Sequence, residues 1–146
     1  MNQYNDIINE MASLSFFAGE EIMKFYPNKI VSEKKDDFSP VTEADRASDK
    51  LICERLEQKF PEILCISEES YKSKNLTKIN DVFFLIDPLD GTKEFIEKND
   101  EFTVNIALII NHKTELGVIY APAKSCLLYT SPSPRDLSTS RMPSSA

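Results

Sequence analysis

The chain is poor in the side chains on which most metal and covalent chemistry relies. It has one histidine, His112, and three cysteines, Cys53, Cys65 and Cys126. A single imidazole cannot build a zinc site of several histidines, and the thiols have neither metal nor disulfide spacing. Reduced structural thiols are expected, Cys53 on a helix and Cys65 on a buried strand. No apolar run reaches the length of a membrane span; the longest, Val82 to Ile86 and Ile106 to Ile110, are strand-sized. The first residues, Met1 to Asp6, lack a basic segment followed by an apolar one. No signal peptide is therefore expected, and a cytoplasmic location is. Basic residues are outnumbered, and the formal net charge of -7 disfavours a nucleic-acid surface. A small phosphorylated substrate stays open, because a bound cation can reverse the local field.

What is present suffices for one domain. The 146 residues are 41% hydrophobic, enough for a core. Ile7, Ile8, Met11, Leu14, Ala18, Ile22 and Phe25 recur at helical spacing, predicting a helix over Tyr4 to Tyr26 that Pro27 ends. Lys29 to Lys34 alternates as a strand, and Lys35 to Pro40 is a polar loop. A second helix is expected from Thr42, as N-cap, to about Phe60, with Ala47, Leu51, Ile52, Leu56 and Phe60 inward. Ile63 to Ser67 and Val82 to Ile86 read as buried strands, with a charged loop between them over Tyr71 to Asp81. Phe102 to Ile110 and Glu115 to Tyr120 read as a hairpin through Asn111-His112-Lys113-Thr114, with His112 an exposed turn residue. The expected class is α/β, helices packed on a mixed β-sheet.

The composition changes after Ser125. Cys126 to Ala146 is rich in Ser and Pro without a periodic apolar face. Cys126 to Asp136 resembles the translation of a transposon-type sequencing-library adapter. Ser140 to Ala146 matches its far end in the same frame, and Leu137 to Thr139 span a variable index. The expected division is therefore 1–125, a metal-binding part of one domain, and 126–146, a non-native adapter-derived tail set aside from the fold. The acidic balance does not depend on the tail, whose charged residues are Arg135, Asp136 and Arg141.

Three acidic clusters fall where strands or loops end: Ser39-Pro40-Val41-Thr42-Glu43-Ala44-Asp45, Ser67-Glu68-Glu69 and Asp87-Pro88-Leu89-Asp90-Gly91-Thr92. Strand C-terminal ends of α/β sheets are where ligands bind. Converging acids repel unless a cation neutralises them, and hard oxygen donors suit Mg²⁺. Asp87-Pro88 has type I turn chemistry, which would aim Asp87 and Asp90 into one pocket with the Leu89 carbonyl between them. Gly91 permits close backbone approach, and a helix starting at Thr92 or Lys93 would point free N–H groups at the same pocket. Taken singly, each cluster has a plainer reading. Asp45 could be a first-turn partner of Thr42, Glu68-Glu69 a solvated pair, Asp87-Pro88 a simple turn, and Thr92 a helix cap. Their joint occurrence in this order favours metal-assisted phosphate-ester hydrolysis.

Asp87-Pro88-Leu89-Asp90-Gly91-Thr92 resembles the metal signature of the inositol monophosphatase superfamily. Ser39-Pro40-Val41-Thr42 with Asp45, and Ser67-Glu68-Glu69, resemble its other N-terminal blocks. Lys93-Glu94-Phe95-Ile96, Glu101 to Ile109 and Leu116 to Pro122 are similar to the CysQ-type 3'(2'),5'-bisphosphate nucleotidase branch. The resemblance implies the N-terminal half of the sugar-phosphatase-type αβαβα fold, truncated. It implies that Glu68, Asp87 and the Leu89 carbonyl hold one Mg²⁺, and that Asp87 bridges to a second shared with Asp90. Asp45 and Thr92 would orient and deprotonate the attacking water. Glu68, Leu89, Asp90, Gly91 and Thr92 would surround the substrate, with the Gly91 and Thr92 backbone holding its phosphate. The implied reaction converts adenosine 3',5'-bisphosphate to AMP and phosphate and is inhibited by Li⁺. Peripheral association with the inner membrane is also implied.

The sequence departs from that pattern in one respect. The superfamily supplies a further metal-binding Asp within a Trp-Asp motif, and this chain has no Trp. An inactive fragment with uncovered apolar faces is therefore expected. The alternatives are an inositol monophosphatase-type enzyme, a non-catalytic cation-binding fragment, or an acidic interaction module.

Overall fold

The computed structural model describes residues 3–26, 40–68 and 80–131. The expected strand over 29–34, the loops over 35–39 and 71–79, Glu69 and the segment 132–146 lie outside them. The apolar stripe of the N-terminus folds as α1 (Gln3–Met23), burying Ile7, Ile8, Met11, Leu14, Ala18 and Ile22. Its end tightens into i→i−3 bonds, with Lys24, Phe25 and Tyr26 N–H donating to the Glu21, Ile22 and Met23 carbonyls at 3.2, 3.0 and 3.2 Å.

The second helix, α2 (Pro40–Lys59), starts earlier than expected. Pro40 takes its first position, where a missing N–H costs nothing. Thr42 is thus inside the helix and not its cap, and Asp45 is not its capping partner. The fully buried row is Ala44, Ser48, Ile52 and Leu56. Ala47 and Leu51, expected inward, are only half-buried. Ser48 conceals this row in the sequence because it is polar. Its hydroxyl is satisfied internally, donating to the Pro88 carbonyl at 2.8 Å.

The sheet is mixed, as expected. Strands β1 (Leu64–Ser67), β2 (Val82–Asp90), β3 (Thr103–Ile110), β4 (Lys113–Ala121) and β5 (Cys126–Thr130) lie in that order. The β1–β2 pair is parallel and the others are antiparallel. A short helix, α3 (Thr92–Glu97), links β2 to β3, and a 3₁₀ turn over Pro122–Lys124 links β4 to β5. Phe84, Ile86, Val104, Ile106, Leu108, Leu116 and Val118 bury one face of the sheet in a single core with α1 and α2. The opposite face leaves Leu85 and Ile119 47% and 45% exposed. Among the described residues no helix is long and apolar enough to cross a membrane.

Three local expectations are corrected. The strand expected to end at Ile86 runs on to Asp90, so Asp87-Pro88 is extended backbone and not a type I turn. Pro88 is tolerated because the ladder with β3 shifts register between Asp87 and Asp90, where its missing N–H is not called upon. The hairpin is tighter than expected: Asn111 and His112 alone turn it, at φ 50° and 69°, and β4 begins at Lys113. His112 is exposed, as expected. Finally, Cys126–Thr130 was expected to take no part in the fold, yet it pairs with β4 from Ala121↔Cys126 to Gly117↔Thr130. Every side chain of this edge strand is exposed. Its β-prone Leu-Leu-Tyr-Thr run is recruited by the backbone ladder and adds nothing to the core.

The three thiols are free, with Cys65 buried, Cys53 half-buried and Cys126 exposed. Burial, with Asp49 beside it, pushes the Cys53 thiol above its ordinary range.

Candidate active site

The parallel register brings two of the acidic clusters together. Ser67 lies opposite Ile86, so Glu68 and Asp87 leave neighbouring strands at the same level. Asp87 sits above the usual carboxylate range, chiefly through burial and next through the charge of Asp90. A backbone hydrogen bond at Leu89 acts in the other direction, and Glu68 adds to the rise. Three carboxylates from two strands thus share one electrostatic neighbourhood. Among the described residues, however, no three Asp, Glu, His or Cys side chains form a ready metal-holding group. Leu89 is 3% exposed, so its side chain belongs to the core and only its backbone is available to a ligand.

The register break that accommodates Pro88 also frees the backbone between the two aspartates. It is held from below by Ser48, whose buried hydroxyl ties α2 to β2. Asp90 is oriented from β3. Thr103 Oγ1 donates to Asn105 Oδ1 at 2.9 Å, and Asn105 Nδ2 donates to Asp90 Oδ2 at 3.3 Å. The sequence reading missed Ser48, Thr103 and Asn105 as site residues. A signal for two of them existed: Thr103 and Asn105 are polar at i and i+2 on an otherwise apolar strand, sharing one face.

The first and third clusters meet between the helices. Asp45 and Thr42 from α2 and Thr92 and Lys93 from α3 line a cavity of about 400 Å³. Gly91 makes this approach possible. It is the N-cap of α3 at φ 97°, with no side-chain cap, so Thr92 is the first helical residue and not the cap. A Cβ at Gly91 would stand 3.0 Å from the Glu101 carbonyl oxygen and 3.2 Å from Phe102 Cα. Glycine is required there both by its backbone angle and by the space.

An aromatic cluster fixes α3. Phe95, the buried residue of that helix, packs against Tyr26 and Phe102 with centroids 5.2 Å away in each case. The Tyr26 hydroxyl donates to Asp100 Oδ1 at 2.5 Å and accepts from the Asp100 N–H at 3.0 Å. The Lys98 ammonium lies 4.5 Å from the Tyr26 ring centroid, a cation–π contact.

A model of the inositol monophosphatase family matches residues 4–137. The chain is 42% identical over 125 residues to the 3'(2'),5'-bisphosphate nucleotidase CysQ of Salmonella typhimurium, covering 84% of itself and 51% of that protein. It therefore spans about half the length of the curated relatives it matches. Among solved structures, CysQ from Bacteroides thetaiotaomicron superposes with a TM-score of 0.72 at 38% identity, over 86% of this chain and 46% of that one. An inositol monophosphatase from Zymomonas mobilis superposes with a TM-score of 0.75 at 29% identity, over 90% and 49%. By sequence and by fold, the chain belongs to the inositol monophosphatase family.

Proposed function

We propose that residues 1–125 are the carboxylate-bearing half of a Mg²⁺-dependent phosphatase acting on bisphosphate nucleotides, with adenosine 3',5'-bisphosphate as substrate and AMP and phosphate as products. One observation carries the reading. Asp45 and Thr92, distant in sequence, line one cavity, and Asp90, two residues before Thr92, shares its field with Asp87 and Glu68. The donor set is suited to the ion: carboxylates of Glu68, Asp87 and Asp90 plus the Leu89 carbonyl are hard oxygen donors. Their mutual repulsion at Asp87 is what a divalent cation would relieve. When bound, Mg²⁺ would polarise the phosphoryl oxygens and lower the pKa of a coordinated water. The chain's own groups do the rest. Asp45 accepts a proton from the attacking water while the Thr92 hydroxyl orients it. The Gly91 and Thr92 N–H groups receive the phosphate oxygens. Asn105 keeps Asp90 turned toward the site.

The segment 126–146 is read as adapter-derived, and none of these roles uses it. The isolated 146-residue chain is proposed to bind Mg²⁺ weakly without turnover. The test is a chimera in which residues 1–125 replace the matching half of the Salmonella CysQ. It should release phosphate from adenosine 3',5'-bisphosphate only when Mg²⁺ is added. Release from inositol phosphate and none from the nucleotide would move the assignment to the inositol monophosphatase branch. Calorimetric titration of the isolated chain reports its Mg²⁺ binding separately.

A further inference from the structure

The sheet has one covered face and one open one. Strand alternation places Leu85 and Asp87 of β2, Asn105 and Ala107 of β3, and Gly117 and Ile119 of β4 on the side away from the helices. Register aligns them into two rows across the sheet, Leu85–Ala107–Gly117 and Asp87–Asn105–Ile119. The first row is low in its middle, because Ala107 carries only a methyl group and Gly117 no side chain. The result is an apolar trough of about 520 Å³ with Asp87 among its lining residues. Leu85 and Ile119, at its margins, are nearly half exposed. A continuous apolar hollow across the middle of a sheet is a packing surface.

The lengths of the relatives indicate its occupant. In the Bacteroides structure the portion resembling this chain is 46% of the protein. The remainder must pack on that portion, and the trough is the broad apolar sheet face that α1 and α2 leave open among the described residues. A second copy is a poorer candidate, because each copy brings a formal charge of -7 and like charges oppose association. We propose that this open face is the seat of the other half of a nucleotidase-type chain, and that such a half docks here even as a separate polypeptide. Since Asp87 lines the same hollow, docking would also wall off one side of the candidate site. The inference rests on shape, polarity and family membership, and holds whatever the substrate is.

The test is co-expression of the chain with the part of the Escherichia coli CysQ that it does not cover, as two separate polypeptides. Sedimentation should show a one-to-one complex. Hydroxyl-radical footprinting should show Leu85 and Ile119 protected in the complex and oxidised in the free chain. Leu85→Glu and Ile119→Glu should each weaken the complex by at least about 100-fold, since each buries an unpaired charge. Both positions face solvent in the isolated chain, so the variants should keep its unfolding midpoint, which serves as the folding control. Failure to co-purify would overturn the proposal, whether or not the relative's own two halves associate under the same conditions. So would a complex indifferent to both substitutions, or self-association of the chain that Ile119→Glu abolishes. No outcome depends on Mg²⁺ or on turnover, so the phosphatase reading is tested independently.

Discussion

Phe95→Ala should destabilise the chain by about 3–5 kcal/mol, the usual cost of emptying a fully buried phenylalanine site. The expectation rests on how α3 is attached. The helix has six residues, and Phe95 is its buried side chain. On so short a helix, hydrogen bonding alone is marginal, so attachment depends on the ring contacts with Tyr26 and Phe102. Loss of the ring leaves the Tyr26–Phe102 pair, with centroids 4.8 Å apart, facing a void. Urea titration followed by circular dichroism checks the magnitude. Amide exchange checks the location: residues 92–97 should lose protection more than α1 does. A penalty below about 1 kcal/mol would mean that the neighbours collapse into the space and that Phe95 is not the anchor.

Asp87→Asn should have opposite effects on activity and stability. In the chimera, turnover should fall by more than about 100-fold, the upper end of the cost of losing even an outer partner of a metal ligand. In the isolated metal-free chain the same change should stabilise. The native fold holds the Asp87 carboxyl above its ordinary range, by burial and by Asp90, so the ionised form is disfavoured in the fold. That penalty is absent below the unfolded-state pKa, grows as pH rises through the carboxylate range, and is complete above the raised native value. Asn removes it, so the gain appears at neutral pH and vanishes in acid. Asp87 is largely open to solvent, and screening keeps the gain on the order of 0.5 kcal/mol. Urea midpoints of both proteins at acid and neutral pH measure it. Stabilisation that persists in acid would locate its source elsewhere.

The two predictions touch different degrees of legibility. The buried rows of α1 and of the central strands could be read directly, because apolar periodicity decides which face is covered. Glu68, Asp87 and Asp90 could be read as neighbours from their positions at strand ends. What could not be read follows from pairing across the sheet. The extended path through Pro88 depends on a register shift against β3, and no local propensity encodes that. The inward turn of Ser48 depends on a carbonyl 40 residues later, and a polar residue in a helical pattern otherwise reads as exposed. The place of Cys126–Thr130 at the sheet edge comes from the unpaired backbone of β4, so a segment without apolar periodicity still became a strand.

The clasp between Tyr26 and Asp100 spans 74 positions, and that separation bears on kinetics. Closing so long a loop is entropically costly until the intervening strands are in place, so the clasp should form on the downhill side of the folding barrier. Tyr26→Phe should then speed unfolding in stopped-flow measurements while leaving the refolding limb unchanged. The hydroxyl would act as a latch that sets how long the native state lasts, with no say in how quickly it is reached.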